Sequence, residues 1–443
     1  MTDSDRDKMV DHLTKPITKT GGAYYLIVLV LFMGVAWGLF AWIYQVKNGL
    51  QVTGMNNSVA WGVYITNFVF FIGISHAGTL ISAILRVSGA EWRRPITRAA
   101  EAITVFALVM GGSQILFDMG RPDRVLNAVF YGRLGSPLLW DVCCITIYLM
   151  SSVFYLFLPL IPDMAILRDQ ANVSGWRKSL YGILAVGWDG NAEQKRRLEK
   201  AIGIMAILII PIAVSVHTVV SWIFGMTIRP MWHSSILGPY FVVGAIFSGI
   251  AALLIAMAIL RKVYHLEAYL KPIHFNYLGA LLLVMTSLWF YFTLCEYLTV
   301  GYGALTEEWE VFVGKVTGDF GALFWIMISS MTIAFFLLLL FRGKWAIGAT
   351  VIASVFIVLG MWIERYSIVV PTLTKFSEHG HATHMYHPTW VEWSITAASF
   401  SAFALLYVIF AKLFPIISIW EIEESEEALE EKLEKMKSYL PTG

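Results

Sequence analysis

Charge is what this sequence has least of. Asp, Glu, Lys and Arg together make up 14% of 443 residues, against roughly 25% in soluble domains. Their balance is only +1, which argues against a nucleic-acid partner, since that would need a strongly basic face. Cysteine occurs three times, as the adjacent Cys143 and Cys144 and a lone Cys295, all in apolar stretches. That leaves neither a disulfide framework nor a thiolate metal site, and without a CxxCH motif no covalent haem is expected. A small-residue cleavage site after the first apolar stretch is also missing, so we read that stretch as an uncleaved membrane helix rather than a secretory signal.

Apolar residues fill the space that charge leaves, at 58% of the chain with a mean hydropathy of +0.67. A helix needs about 20 apolar residues to cross a hydrocarbon core of roughly 30 Å. Ten runs qualify: Ala23 to Val46, Tyr64 to Leu85, Ala99 to Phe117, Leu138 to Leu160, Ala201 to Phe224, Pro239 to Leu260, His274 to Thr299, Leu323 to Leu340, Ala346 to Val369 and Val391 to Phe414. The fold class is therefore all-α, a polytopic protein of the lipid bilayer with ten transmembrane helices. Of the 32 Lys and Arg residues, 24 fall in the two termini, the loops after the second, fourth, sixth and eighth runs, and the last residues of the tenth run (Lys412), which places both termini in the cytoplasm. The loop Pro162 to Lys200 is then cytoplasmic, with an interfacial helix around Trp176 to Trp188. The tail from Glu421 to Lys437 alternates Glu and Lys and reads as a solvated helix. A weak repeat, Ser82-Ala83-Ile84-Leu85-Arg86 against Met257-Ala258-Ile259-Leu260-Arg261, suggests two four-helix bundles of equal orientation. In parallel repeats a ligand often sits between or within the bundles.

Five titratable residues, His76, Asp141, His217, Glu296 and Glu364, stand inside or at the ends of these runs. Each costs roughly 2.5 to 3.5 kcal/mol at membrane depth unless it faces a cavity or a partner. His76 lies about 18 Å below Tyr64 along its run, with Asn67 and Thr79 as further polar groups and Gly73 and Gly78 removing bulk beside it. The plain alternative is close helix packing through small residues, with His76 bonded to a neighbouring helix. Asp141 follows Ser136 and Pro137, a cap and a first-turn residue, so it either complements the helix N-terminus or joins His76 as an acceptor pair for a two-proton redox ligand. His217 follows a kink expected at Pro211 and could bond the backbone freed there. Glu296, Glu364 and Arg365 are open between structural bonding and a proton route; as neighbours, Glu364 and Arg365 point about 100° apart and need not pair. His379, His381, His384 and His387 could hold Zn²⁺ or Cu²⁺, but we read that stretch as a solvated loop and assign no metal site. His76 and His217 are the pair that an intramembrane haem would need.

Trp61-Gly62-Val63-Tyr64-Ile65-Thr66-Asn67-Phe68, Ser75-His76-Ala77-Gly78-Thr79, Ser136-Pro137-Leu138-Leu139-Trp140-Asp141-Val142 and Gly360-Met361-Trp362-Ile363-Glu364-Arg365 occur in that order. With these motifs the chain resembles the NrfD/PsrC family of membrane quinone-reactive subunits, over about Val59 to Pro415. Within it, the similarity is to the ten-helix branch of alternative complex III and the menaquinone reductase complexes. The resemblance implies two four-helix bundles, the second to fifth and sixth to ninth runs, flanked by the first and tenth. It implies a quinone pocket in the first bundle open to the outer face, and neither haem nor iron–sulfur cluster in this chain. Electrons would pass to or from a ferredoxin-like iron–sulfur subunit outside, accompanied by molybdopterin-like and multihaem cytochrome c subunits, in a bacterial or archaeal cytoplasmic membrane.

Carried over by motif, His76 and Asp141 are the quinone-ligating pair. Tyr64, Asn67, Gly78 and Thr79 shape the pocket, and Arg121 in Asp118-Met119-Gly120-Arg121-Pro122-Asp123 stands at its mouth. Trp222-Ile223-Phe224 is apolar where the alternative complex III branch is expected to carry an acid, which favours menaquinone reduction. The chain divides into residues 1–22 (cytoplasmic segment), 23–63 (first helix and outer loop), 64–237 (first bundle), 238–370 (second bundle), 371–420 (histidine-containing loop and tenth helix) and 421–443 (charged tail). A proton-coupled secondary transporter and a purely structural anchor for redox subunits are the alternatives.

Overall fold

The computed structural model describes residues 3–169, 173, 175–227, 229–341, 346–375 and 385–425, the side chains of 3, 79, 80, 346 and 375 excepted. Fourteen α-helices follow one another: α1 (Asp3–Thr18), α2 (Gly22–Asn48), α3 (Val63–Val87), α4 (Arg94–Asp118), α5 (Asn127–Phe130), α6 (Pro137–Asp169), α7 (Trp176–Leu184), α8 (Ala192–Gly225), α9 (Leu237–Val263), α10 (Pro272–Gly303), α11 (Thr306–Val316), α12 (Gly321–Leu340), α13 (Ala346–Lys375) and α14 (Trp390–Leu413). Among the described residues ten of these are long and apolar enough to cross a membrane, one for each run read from the sequence.

Local signals set the ends. Pro95, Pro137 and Pro272 stand in first turns, where a missing N–H costs nothing. The Asn191 side chain caps α8 by accepting from the Gln194 N–H. That cap starts α8 nine residues before the apolar run, so the basic residues Lys195 to Arg197 are helical rather than loop. α6 likewise passes Pro159 and Pro162 and ends at Asp169, beyond the expected Leu160.

Each of two sets of four helices closes a ring of contacts. α3 packs on α4, α4 on α6, α6 on α8 and α8 on α3; α9 packs on α10, α10 on α12, α12 on α13 and α13 on α9. The rings meet where α9 lies against α3 and α8 and where α13 touches α3, while α14 pairs with α2 and rests on α4. Two glycines permit the closest approaches. A Cβ on Gly78 would collide with the Ala100 carbonyl and the Thr104 hydroxyl of α4, and one on Gly249 would meet the Ala77 backbone at 2.6 Å. Gly78 thus admits a neighbouring helix rather than a ligand, consistent with small residues at membrane helix interfaces.

The end of the bundle rich in Lys and Arg, here the basic end, differs from the expectation of a solvated tail. Residues 419–425 are helical, Glu421 is buried, and its carboxylate meets Arg86 Nη1 at 3.3 Å and Arg93 Nη1 at 3.4 Å. Residues 426–443 lie outside the described part. α1, which the sequence did not announce, buries Met9, Val10, Leu13 and Ile17 against this end.

Candidate functional site

The interior of the first ring is built on one stripe of α6: Asp141, Tyr148, Ser152, Tyr155 and Asp163, all buried. Their spacing of seven, four, three and eight keeps them on a single helical face. Asp141 stands toward the far end, with its Oδ1 buried and unpartnered. Tyr148, two turns and thus about 10 Å further in, donates to the Ser75 carbonyl at 3.1 Å, which also accepts from Thr104 Oγ1 at 2.6 Å. Below, the Ser82 hydroxyl donates to Glu101 at 2.7 Å and meets the Tyr155 hydroxyl at 3.1 Å. At the basic end Arg98 pairs with Asp163 and donates to Pro159 O at 2.8 Å, while Asp163 accepts the Ile419 and Trp420 N–H groups. Polar groups therefore run the length of this ring.

His76 sits in the middle of that column with no exposed surface. Its Nε2 lies 2.8 Å from the Ala213 carbonyl of α8 and its Nδ1 3.3 Å from the Ile72 carbonyl one turn back. A neutral imidazole donates through one nitrogen only, so the second carbonyl is in place for a second proton. The His217 ring meets His76 edge to face with centroids 3.9 Å apart, and Tyr148 approaches at 5.4 Å. The two histidines touch each other rather than facing across a gap. Neither nitrogen of His217 has a hydrogen-bond partner among the described residues, so the expected bond to backbone freed at Pro211 is not made. Among the described residues no hydrogen bond or ion pair joins His76 to Asp141, and a headgroup reaching His76 must displace the Ala213 carbonyl.

The other residues singled out from the sequence separate into distinct places. Asn67, nine positions from His76, faces away from it and bonds Thr396 of α14 at 2.9 Å and Trp362 of α13 at 2.9 Å. The Tyr64 hydroxyl donates to Gln45 of α2 at 2.6 Å. Neither lines the His76 compartment; for Asn67 the reason is that nine residues at 100° each turn α3 by half a revolution. Arg121 is exposed and paired with Asp123 through two 3.0 Å contacts. The side chain of Thr79 and the residues His379, His381 and His384 fall outside the described part.

Glu364 and Arg365, which as helical neighbours need not pair, do so at 2.9 Å, both side chains being buried. The Arg365 guanidinium lies over the Phe241 ring of α9 at 5.0 Å, on the helix that packs against α8 and its His217. On the far side, Glu364, Glu296, Tyr240 and Lys315 surround a cavity of about 30 Å³. That is room for water. Burial draws the Lys315 ammonium down to about 8, although Glu296 and Glu364 oppose it. His76, His217, Arg365, Glu364, Glu296 and Lys315 thus form a succession of ionisable groups from the first ring to the far end of the second.

At the far end, Tyr386 donates to Glu392 at 2.5 Å and accepts the Val63 N–H at 2.9 Å, while Glu392 also takes the Gly54 N–H at 2.7 Å. Asp118 leaves its Oδ1 buried and unpartnered nearby, beside Tyr64 and Glu392. Sequence reading missed Tyr148, Tyr155, Glu101, Lys315 and Glu392. The seven-residue interval between Asp141 and Tyr148 was the legible signal for the first two.

The family profile described as polysulphide reductase, NrfD, matches residues 51–377, and the chain belongs to that family. With its ten candidate spans it is a multi-pass membrane protein. A putative dimethyl sulfoxide reductase membrane subunit from Halobacterium salinarum is 32% identical over 238 residues, 53% of this chain and 51% of that protein. The chain therefore matches about half that relative's length. A selenate reductase subunit from Mesobacillus selenatarsenatis is 24% identical over 395 residues, 86% of this chain and 91% of that one. The Hdr-like menaquinol oxidoreductase integral membrane subunit of Archaeoglobus fulgidus is 24% identical over 409 residues, 89% and 94% of the two chains. Among the described residues no group of three or more metal-ligating side chains gathers.

Proposed function

We propose that the chain is the membrane subunit of a respiratory oxidoreductase and that its first ring exchanges protons with a quinone, most simply by reducing menaquinone. The observation that carries this reading is the buried polar column centred on His76 in a ring otherwise built for lipid. The name of the archaeal relative, a menaquinol oxidoreductase subunit, supports the substrate class.

His76 Nε2 gives up the Ala213 carbonyl and donates to a quinone oxygen, so that the bond already present at 2.8 Å is exchanged rather than created. Asp141, at the far end of the same stripe, orients or relays the second proton. Two electrons and two protons convert quinone to quinol; the electrons come from a partner, the protons through this chain. His217, Arg365, Glu364 and Glu296 provide the further proton route. The partner is a ferredoxin-like iron–sulfur subunit, with molybdopterin-like and multihaem cytochrome c subunits behind it. The loop between α4 and α6, beside Asp141, supports docking there: Phe130, Tyr131 and Leu134 are 74%, 82% and 86% exposed. Exposed apolar patches mark interaction surfaces.

The test is His76→Ala in the intact complex. Assembly with the partner subunits is expected to survive and quinone turnover to fall by about 10² or more; turnover near the native rate in an assembled complex overturns the assignment.

A further inference from the structure

At the basic end, α2, α9 and α14 part to leave a groove of about 730 Å³ that reaches inward to Phe70, Phe71 and Phe400. On α14 the distance from Lys412 at its mouth to Phe400 at its floor is twelve residues, or about 18 Å. That is close to the depth of one leaflet of hydrocarbon, roughly 15 Å. The walls are aliphatic and aromatic, and the mouth is cationic.

Three lysines mark that mouth. Lys15 and Lys19, at the end of α1 and just beyond it, are exposed. Lys412 is buried, and its Nζ donates to Pro16 O at 2.7 Å and Lys19 O at 2.9 Å beside the Tyr24 ring. An ammonium carries three donors, so one is left for a ligand. No Asp or Glu occurs among the described residues that line the groove. None of the three lysines has a carboxylate partner among the described residues, although most other buried cations at this end do. His265 joins the same rim in a left-handed backbone conformation, φ +54°, which a non-glycine residue rarely adopts.

We propose that this groove is a binding site for an anionic phospholipid, with an acyl chain along α14 and the phosphate held by Lys15, Lys19 and Lys412. Basic pockets between membrane helices on the positively charged side select such headgroups. A neutral headgroup leaves the three ammonium groups uncompensated, and the groove opens at the end opposite Asp141, so it is separate from the redox site proposed above.

The complex is purified in mild detergent, exchanged against vesicles of phosphatidylglycerol or of phosphatidylcholine, and the lipid retained after delipidation is measured by mass spectrometry. Phosphatidylglycerol is expected to stay at about one molecule per chain and phosphatidylcholine to be lost. The exposed double variant Lys15→Gln/Lys19→Gln is expected to weaken retention roughly tenfold or more, the scale of two lysines at an anionic surface. Lys412→Gln is expected to lose it too, but could also loosen α1, so the double variant decides. Equal retention of both lipids, or retention unchanged in the double variant, overturns the proposal. So does a photo-crosslinker at Ala404, on the groove wall, that captures a partner polypeptide instead of lipid.

Discussion

In the ring of α3, α4, α6 and α8, polar side chains run from Asp141 at the far end to Arg98 and Asp163 at the basic end. In the ring of α9, α10, α12 and α13 they gather around Glu296, Lys315 and Glu364, and the remainder is filled by Phe275, Leu278, Leu282, Met331 and Ile357. Hydroxyls such as Thr286 and Ser354 there bond their own helix one turn back and link nothing. Two rings with the same order of contacts thus differ in what fills them. The chemistry is set by the inward stripe of each helix and not by the connectivity, as expected when function is grafted onto a fold.

Substitutions can break that contrast. His76→Ala is expected to lower quinone turnover by about 10² to 10⁴, the range for losing a general acid–base group, measured with the assembled complex. Asp163→Ala leaves Arg98 buried without its counter-ion, at a cost of roughly 3 to 5 kcal/mol; thermal melting and the yield of folded protein report it. Glu364→Gln, in the second ring, is expected to slow turnover about tenfold, or about 1.4 kcal/mol. A loss as large as that of His76→Ala would make the two rings one proton unit, and no loss would make the second a passive support.

Lys315 sharpens the contrast through pH. Its folded-state value of about 8 lies below the ordinary 10.5, so the unfolded chain binds the extra proton between those limits. Stability contributed by this group therefore rises as pH climbs from about 8 toward 10.5, falls over the same window as pH drops, and is level below 8, where both states are protonated. Lys315→Met is expected to flatten that part of a melting-temperature profile. Least affected is Arg121→Ala, whose exposed pair with Asp123 should leave melting unchanged; its turnover with the native partner, compared with that of a soluble artificial donor, tests whether Arg121 acts at the pocket mouth.

All ten crossings were legible because each is an apolar run long enough for a membrane, and lipid tolerates little else. The buried charges at the ends of the runs were legible only in part. Arg98 and Lys315 sit near the ends of apolar stretches and look like loop residues until tertiary contacts bury them. α8 could have been extended backward, since Asn191 three residues before Gln194 is a cap signal, but the basic cluster Lys195 to Arg197 outweighed it. Asn67 was grouped with His76 by proximity in sequence, although helical periodicity alone sets them on opposite faces. The pairing of Glu364 with Arg365 depended on side-chain length, which backbone geometry does not reveal.

The bonds of Tyr386 and Glu392 have a mechanical consequence. They fasten the stretch entering α14 to the first turn of α3 and to the loop at Gly54. A protein or ion that grips the chain beside His387 therefore pulls on the helix that carries His76. Tension applied at the far end of the bundle would reach the imidazole along a single rigid rod, about thirteen residues from Val63 or roughly 20 Å.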